Sequence, residues 1–311
     1  MNAADPAPTL GEAVGWHLRA MRAKGCSARS LETLEGELRL HLGDWLGRRL
    51  DGLRRMEVAE RHELLTGGSG PYLANRVMQQ LRAVWNTAAR RCEGLPAVNP
   101  VIAVTFNRVR RRREPVPWEE LPAWATRVAG LGNEVRRDLQ WFLLLTGLRS
   151  LDARTVRWED VAWTAEGATL HRPRPKGGED RAFTVPVASA VEVLLARRRA
   201  RNGTFLGEDD DGWVFPTRDH AGRVTHVAEA KEQRVVDGRK VRWLPSPHRL
   251  RDTFATAAHE CGTHPLDLKA LMNHALPGGG DVTAGYIRPS VGHLRGEVER
   301  VAGFLVERAG V

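Results

Sequence analysis

The chain lacks the features that would carry it out of the cell or into a membrane. No apolar run approaches the ~20 residues of a membrane span. The opening stretch MNAADPAPTL has no basic segment followed by an apolar core, so no secretory leader is expected. Cysteine is scarce, with Cys26, Cys92 and Cys261 at unrelated spacings; an odd number argues against a disulfide framework and for packing residues in a reducing compartment. Internal repeats and long low-complexity tracts are missing, and residues 9 to 105 carry no strand signal. His248, His259, His264 and His274 match no zinc spacing, since three helical turns separate the first two; no metal site and no cofactor are expected. A cytoplasmic protein is the expectation.

What is present points to a polyanion. Lys plus Arg number 47 against 38 Asp plus Glu, a formal net charge of +9 and a pI near 10.2, which favours nucleic acid as the partner. At 311 residues, with 42 % hydrophobic, the chain has room for two folded domains.

The first part reads as helical throughout. Leu10, Val14, His17, Leu18 and Met21 form one stripe, and Leu31, Leu34, Leu38, Leu42 and Trp45 a second. A third helix, introduced by Ser69, Gly70 and Pro71, turns Val77, Leu81, Val84, Trp85 and Ala88 inward. Domain boundaries follow at 1–107, a basic linker at 108–117 and a second domain at 118–311. The linker holds Arg108, Arg110, Arg111, Arg112 and Arg113 before Glu114-Pro115-Val116-Pro117; proline without helical periodicity marks a connection, and clustered arginine suits phosphate tracking.

From Trp118 the pattern mixes. Helices are expected over Trp118 to Val128 and Glu134 to about Thr146, the latter ended by Gly147, with Ser150 as a cap for the short segment after it. Strands are expected at Val161 to Trp163, Thr169 to Arg172 and Ala182 to Val187. The last two flank PRPKGGED, read as a hairpin turning at Gly177-Gly178 and holding Lys176. Helices are expected again over Ala188 to Arg201 and Thr225 to Val236. Ser246 and Pro247 then open a helix whose Leu250, Phe254, Ala257, Ala258 and Cys261 face inward, with His248 and Arg251 together on the opposite flank. The terminal stretch Ser290 to Arg308 carries one apolar face that packs either on its own domain or on a neighbouring protomer.

Arg149, Lys176, His248, Arg251, His274 and Tyr286 together suit attack on a phosphodiester. Its non-bridging oxygens repel nucleophiles, and two guanidinium forks offset that charge without a metal. A phenol with a pKa near ~10 needs a base, for which His248 serves, and the leaving alkoxide needs a proton, which Lys176 can give. His274 can donate to a developing oxyanion.

Thr146-Gly147-Leu148-Arg149 with Asp152 beyond it, His248-Arg249-Leu250-Arg251, Leu271-Met272-Asn273-His274 and Gly285-Tyr286-Ile287 occur in the order of the tyrosine recombinases of the phage integrase family. The chain resembles that family over residues 118 to 290, and its helical first region resembles the family's core-binding domain. The resemblance implies a mainly α fold with a small antiparallel β-sheet in an α+β catalytic domain. It also implies site-specific cleavage and rejoining of double-stranded DNA through a 3'-phosphotyrosyl link on Tyr286, with release of a 5'-hydroxyl and Asp152 helping to hold the site. Assembly would be a homotetramer on two DNA segments, with the free chain a monomer. Two features depart from compact members: twelve positions separate His274 from Tyr286, with Pro277 and the run Gly278-Gly279-Gly280 among those between, and no arm-binding domain is expected before residue 9. The alternatives are a DNA-binding regulator or scaffold with the same fold, and a strand-relaxing topoisomerase of type IB.

Overall fold

Helix starts are fixed by short side chains that satisfy the first free N–H groups. In the computed structural model, which describes residues 7–109, 114–176, 178–207, 212–229, 232–274 and 289–311, Thr9 and Glu12 cap each other at the start of α1 (Leu10–Ala23), and Ser27 caps α2 (Ala28–Leu42). Two further helices follow, α3 (Arg55–Ser69) and α4 (Pro71–Ala89). The chain divides into two compact units, Met1–Arg111 and Arg112–Val311.

In the first unit both expected stripes and the inward face of α4 meet in one core around Leu10, Leu38, Leu42, Leu81, Val84 and Trp85. The helix opened by Pro71 is the fourth, not the third. Helix α3 escaped the periodicity because Met56 and Leu64 face solvent while a histidine, His62, fills a core position. That buried ring is satisfied by Asn75 at 2.9 Å, and Asn75 in turn accepts from the Asn107 backbone, so the chain leaving the unit is tied to its core.

The second unit is built on α5 (Leu121–Ala129), α6 (Glu134–Thr146), α7 (Ser150–Arg154), α8 (Ser189–Leu206), α9 (Pro247–Glu260), α10 (Pro265–Leu271) and α11 (Val291–Ala309). Among the described residues its strands form three small antiparallel sheets: β1 (Val161–Thr164), β2 (Gly167–Arg172) and β3 (Phe183–Pro186); β4 (Pro216–Arg218) with β5 (Val224–His226); and β6 (Gln233–Val236) with β7 (Arg239–Arg242). The fold is therefore mainly α with small antiparallel sheets.

Several expectations need correction. The described residues of 225–236 hold no helix: β5 ends and β6 lies there, and the Asp237-Gly238 pair, both at positive φ (49° and 73°), turns β6 into β7 with Val236 opposite Arg239. Strands β2 and β3 pair as the expected hairpin, the Gly178 N–H donates to the Pro175 carbonyl at 3.0 Å and a short turn follows at Glu179–Arg181; Gly177, half of the expected Gly-Gly turn, lies outside the described residues. Ser150 does not cap α7, since Arg149 occupies that position and the serine hydroxyl meets Glu229 at 3.2 Å. Cys26 is exposed rather than packed, while Cys92 is buried and Cys261 half-buried.

Helices α6 and α9 form the spine of this unit. Gly147 ends α6 at φ +61°, and a Cβ there would sit 2.3 Å from the Phe254 ring of α9, so only glycine lets the two approach. Helix α11 lays Leu294, Val298, Val301 and Leu305 into the same core. No helix among the described residues is long and apolar enough to cross a membrane.

Candidate active site

The site forms where the ends of α6, α9 and α10 meet. Ser246 caps α9 by accepting from the Arg249 N–H at 3.4 Å, and Pro247 takes its first position, as the sequence pattern requires. Arg251, one turn in, is not on the solvent flank: it is 4 % exposed. Its guanidinium donates to the Gly147 carbonyl at 2.5 Å and the Met272 carbonyl at 2.7 Å. A further N–H reaches Nε2 of His274 at 2.7 Å. Burial, and then the charge of Arg149, bring the Arg251 pKa down to about 10, against the pull of Asp152 and Asp252; it is still charged at neutral pH.

Arg149 follows Gly147 by two residues and donates to the Asn273 carbonyl at 3.2 Å. Successive carbonyls at the carboxy-terminal end of α10, Met272 and Asn273, thus hold the two guanidiniums. Asn273 itself adopts φ 47°, a conformation asparagine tolerates better than most residues, and its amide donates to the Arg181 carbonyl at 3.2 Å. That bond ties the 173–182 loop to the site. Lys176 is exposed in this loop, and no hydrogen bond or ion pair among the described residues uses it. Two other cations lie near it in sequence: Arg172 is buried against Asp160 at 2.7 Å, and Arg174 makes an exposed pair with Glu179 at 2.6 Å.

Asp152 lies beneath the arginines, 3 % exposed, with one oxygen 3.8 Å from Arg149 and without a hydrogen-bond partner. Burial pushes its carboxyl above the usual range although Arg149, Arg172 and Arg251 pull it down. His248 stands on the exposed side of α9, with Nε2 4.0 Å from Asp252. The structure thus brings Arg149, Asp152, Arg251 and His274 together and sets His248 on the same helix as Arg251. Tyr286 lies outside the described residues, as do Arg110, Arg111, Arg112 and Arg113; Arg108 is described and exposed.

Sequence reasoning missed the supporting groups. Asn273 could have been flagged by its tolerance of positive φ after a short helix. Arg249 had no signal: it donates to the Glu114 and Pro115 carbonyls at 2.9 and 3.1 Å, while the Val116 N–H donates to the Thr253 hydroxyl at 2.8 Å. The segment entering the unit is therefore stapled along α9.

One group of metal-ligand type occurs among the described residues: Asp267, His293 and Glu297, with ligand atoms within 4.8 Å of one another. Its members already have partners. His293 meets Asp267 at 2.9 Å and Arg300 meets Glu297 at 2.6 Å, which makes the group an ionic tie between α10 and α11.

Two guanidinium forks, Arg251 buried and Arg149 half-buried, beside an imidazole and on the same helix end as a second histidine, can bind and polarise a tetrahedral oxyanion. Comparison with known proteins gives that cleft a lineage. Residues 134–278 match the model of the phage integrase family. Tyrosine recombinase XerD of Caulobacter vibrioides is 35 % identical over 106 residues, 32 % of this chain and 33 % of that protein. Prophage integrase IntF of Escherichia coli is 24 % identical, covering 62 % of this chain and 39 % of its own length. Tyrosine recombinase XerA of Pyrococcus furiosus is 26 % identical over 73 % of both chains. The matches thus span about a third of the first of these relatives, at 33 %, and 39 % of the second. Among solved structures, a lambda integrase tetramer bound to a Holliday junction superposes with a TM-score of 0.65 at 15 % identity over 89 % of this chain and 80 % of that one. The Tn1549 transposon integrase in complex with a circular intermediate DNA gives 0.63 at 15 % identity over 87 % and 92 %. Both likenesses are of fold.

Proposed function

Since residues 134–278 belong to the phage integrase family, we propose that the protein is a site-specific DNA recombinase of the tyrosine class, cleaving and rejoining strands through a covalent link on Tyr286. The observation that carries the reading is the convergence of Arg149 and Arg251 on consecutive carbonyls at the end of α10, beside His274.

In the proposed reaction the scissile phosphate lies against both guanidiniums, which bind its non-bridging oxygens and stabilise the charge that grows on them. The Tyr286 phenol oxygen attacks phosphorus and its proton passes to His248. The bond from phosphorus to the 5' oxygen breaks, and Lys176 protonates that oxygen as it leaves. A 3'-phosphotyrosyl link and a free 5'-hydroxyl result, and attack by another 5'-hydroxyl reverses each step. Asp152 keeps Arg149 and Arg251 aimed from below. All the chemistry is assigned to side chains, without a metal. Duplex DNA is the partner, tracked in part by Arg108 and its neighbours Arg110, Arg111, Arg112 and Arg113, and four protomers on two DNA segments form the working assembly.

A nicked duplex carrying the cleaved site tests this directly, because loss of the short fragment beyond the nick traps the covalent intermediate. The native protein should form a protein–DNA adduct stable to denaturant, and Tyr286→Phe should bind the duplex yet form none. An adduct persisting in Tyr286→Phe removes the nucleophile assignment. Binding without any adduct by the native chain would leave a DNA-binding regulator, and relaxation of supercoils without strand exchange a topoisomerase.

A further inference from the structure

The hairpin β6–β7 is the part of the second unit that neither the core nor the cleft uses. All eight of its strand residues are exposed, and among the described residues it pairs with no third strand. A lone two-stranded ribbon is marginal in water, and this one also exposes Val235, Val236 and Val241 at 68, 51 and 48 %. Four cations, Arg234, Arg239, Lys240 and Arg242, stand against one carboxylate, Asp237. The register puts Val235 opposite Lys240 and Val236 opposite Arg239, so each face of the ribbon mixes a methyl surface with positive charge. Its base is firmly placed. The Trp243 N–H donates to the Glu232 carbonyl at 2.8 Å, Glu232 pairs with Arg136 of α6 at 3.0 Å, and the Arg234 guanidinium lies 3.5 Å from the centre of the Trp243 ring.

We propose that this ribbon lies in a groove of the duplex beside the cleaved phosphate, as a contact surface that sets where the protein sits on its DNA. The inference rests on the recombinase reading above. Charge complementarity selects the partner, since a ribbon with four cations and one carboxylate is drawn to a phosphate backbone, and the major groove admits a two-stranded ribbon. Proximity selects the place. Residue 242 is six positions from His248, so the base of the ribbon is within ~20 Å of that side chain. At ~3.4 Å per base pair this is about half a turn of duplex. The cationic side chains would straddle the phosphates while the valine methyls reach base edges, where thymine offers an apolar surface.

Two variants separate this from its rivals. Asp237→Asn removes the carboxylate and keeps a residue that favours the turn; Arg239→Ala with Lys240→Ala and Arg242→Ala removes charge without touching the Trp243 stack. Binding to a mixed-sequence 40-base-pair duplex is followed from about 50 to 300 mM salt. Each phosphate that is no longer neutralised should lower the slope of log K against log salt by about 0.9. The triple variant should therefore fall by about 2–3 and bind at least tenfold more weakly at 150 mM, whereas Asp237→Asn should bind more tightly than the native chain. The covalent adduct on a nicked site, supplied at saturating protein, should still form in both, so failure of this inference is distinct from failure of the Tyr286 assignment. Unchanged slopes in both variants, with far-UV dichroism and melting intact, overturn the proposal. So does a Val235→Thr, Val236→Thr, Val241→Thr variant that no longer self-associates without DNA while keeping native DNA affinity, which would make the ribbon a surface for a second copy.

Discussion

Arg251 donates an N–H to Nε2 of His274 at 2.7 Å. Arginine has no acceptor, so Nε2 carries no proton in this arrangement, and His274 can donate only through its other nitrogen. The imidazole therefore positions the guanidinium as much as it serves any oxyanion. Arg251→Lys should expose this dependence: an ammonium cannot reach the Gly147 carbonyl, the Met272 carbonyl and His274 in one plane. Covalent adduct formation should fall by about 10²–10³, the cost of losing one oxyanion donor, while duplex affinity changes less than threefold. Equal losses in cleavage and binding would refute the division of labour.

Arg149 and Arg251 should separate on stability. Arg251→Ala leaves two buried carbonyls without donors, at ~1–3 kcal/mol each, and should lower Tm by several degrees. Arg149 is more exposed and holds a single carbonyl; Arg149→Ala should abolish the adduct with little change in Tm. Thermal melting and the nicked-duplex assay, run in parallel, distinguish the two.

Gly147→Ala should be costly for two separate reasons. The left-handed backbone at φ +61° is unfavourable for alanine, and the new Cβ meets the Phe254 ring. A loss of about 2–4 kcal/mol in urea unfolding is expected, from backbone strain and overpacking together. A neutral Gly147→Ala would mean that α6 and α9 have room to part.

The floor of the cleft should be sensitive to Arg172. It is paired with Asp160 at 2.7 Å, and both side chains are nearly buried. Arg172→Ala leaves that carboxylate with the Arg157 N–H but without its counter-charge, and should destabilise by ~3–5 kcal/mol. The double variant with Asp160→Asn should recover part of the loss, and no recovery would count against a pairwise origin.

The tie between α10 and α11 should respond to pH. The hydrogen bond to Asp267 raises the His293 pKa above its ordinary value. A raised histidine contributes stability that is fully present below pH ~6.5 and is lost as pH rises through the higher folded value. The Tm difference between the native chain and His293→Asn should therefore be larger at pH 6 than at pH 9. A constant difference would mean that the pair is held by shape and not by charge.

Much of this site is legible in the residues because its local chemistry is conspicuous. Ser246-Pro247 announces α9, Gly147 announces the end of α6, and the histidines and arginines fall at the spacings their roles require. Burial was harder to read. Arg251 shares a flank with His248 by helical spacing, yet it is also three positions before Phe254, at the border of the apolar face, and what draws it inward are carbonyls from residues 147 and 272. The hairpin was misread for another reason. Val227, Ala228 and Val235 suit a helix at coarse resolution, whereas the informative signal was the Asp237-Gly238 pair between two apolar and basic runs. Helix α3 was blurred because a histidine occupies the place of an aliphatic residue in its core stripe.

The staple between Arg249 and the carbonyls of Glu114 and Pro115, reinforced by the Val116 bond to Thr253, makes residues 114–116 and α9 a single mechanical part. Residues 114–116 and the helix that carries both His248 and Arg251 thus share one position, set by three hydrogen bonds.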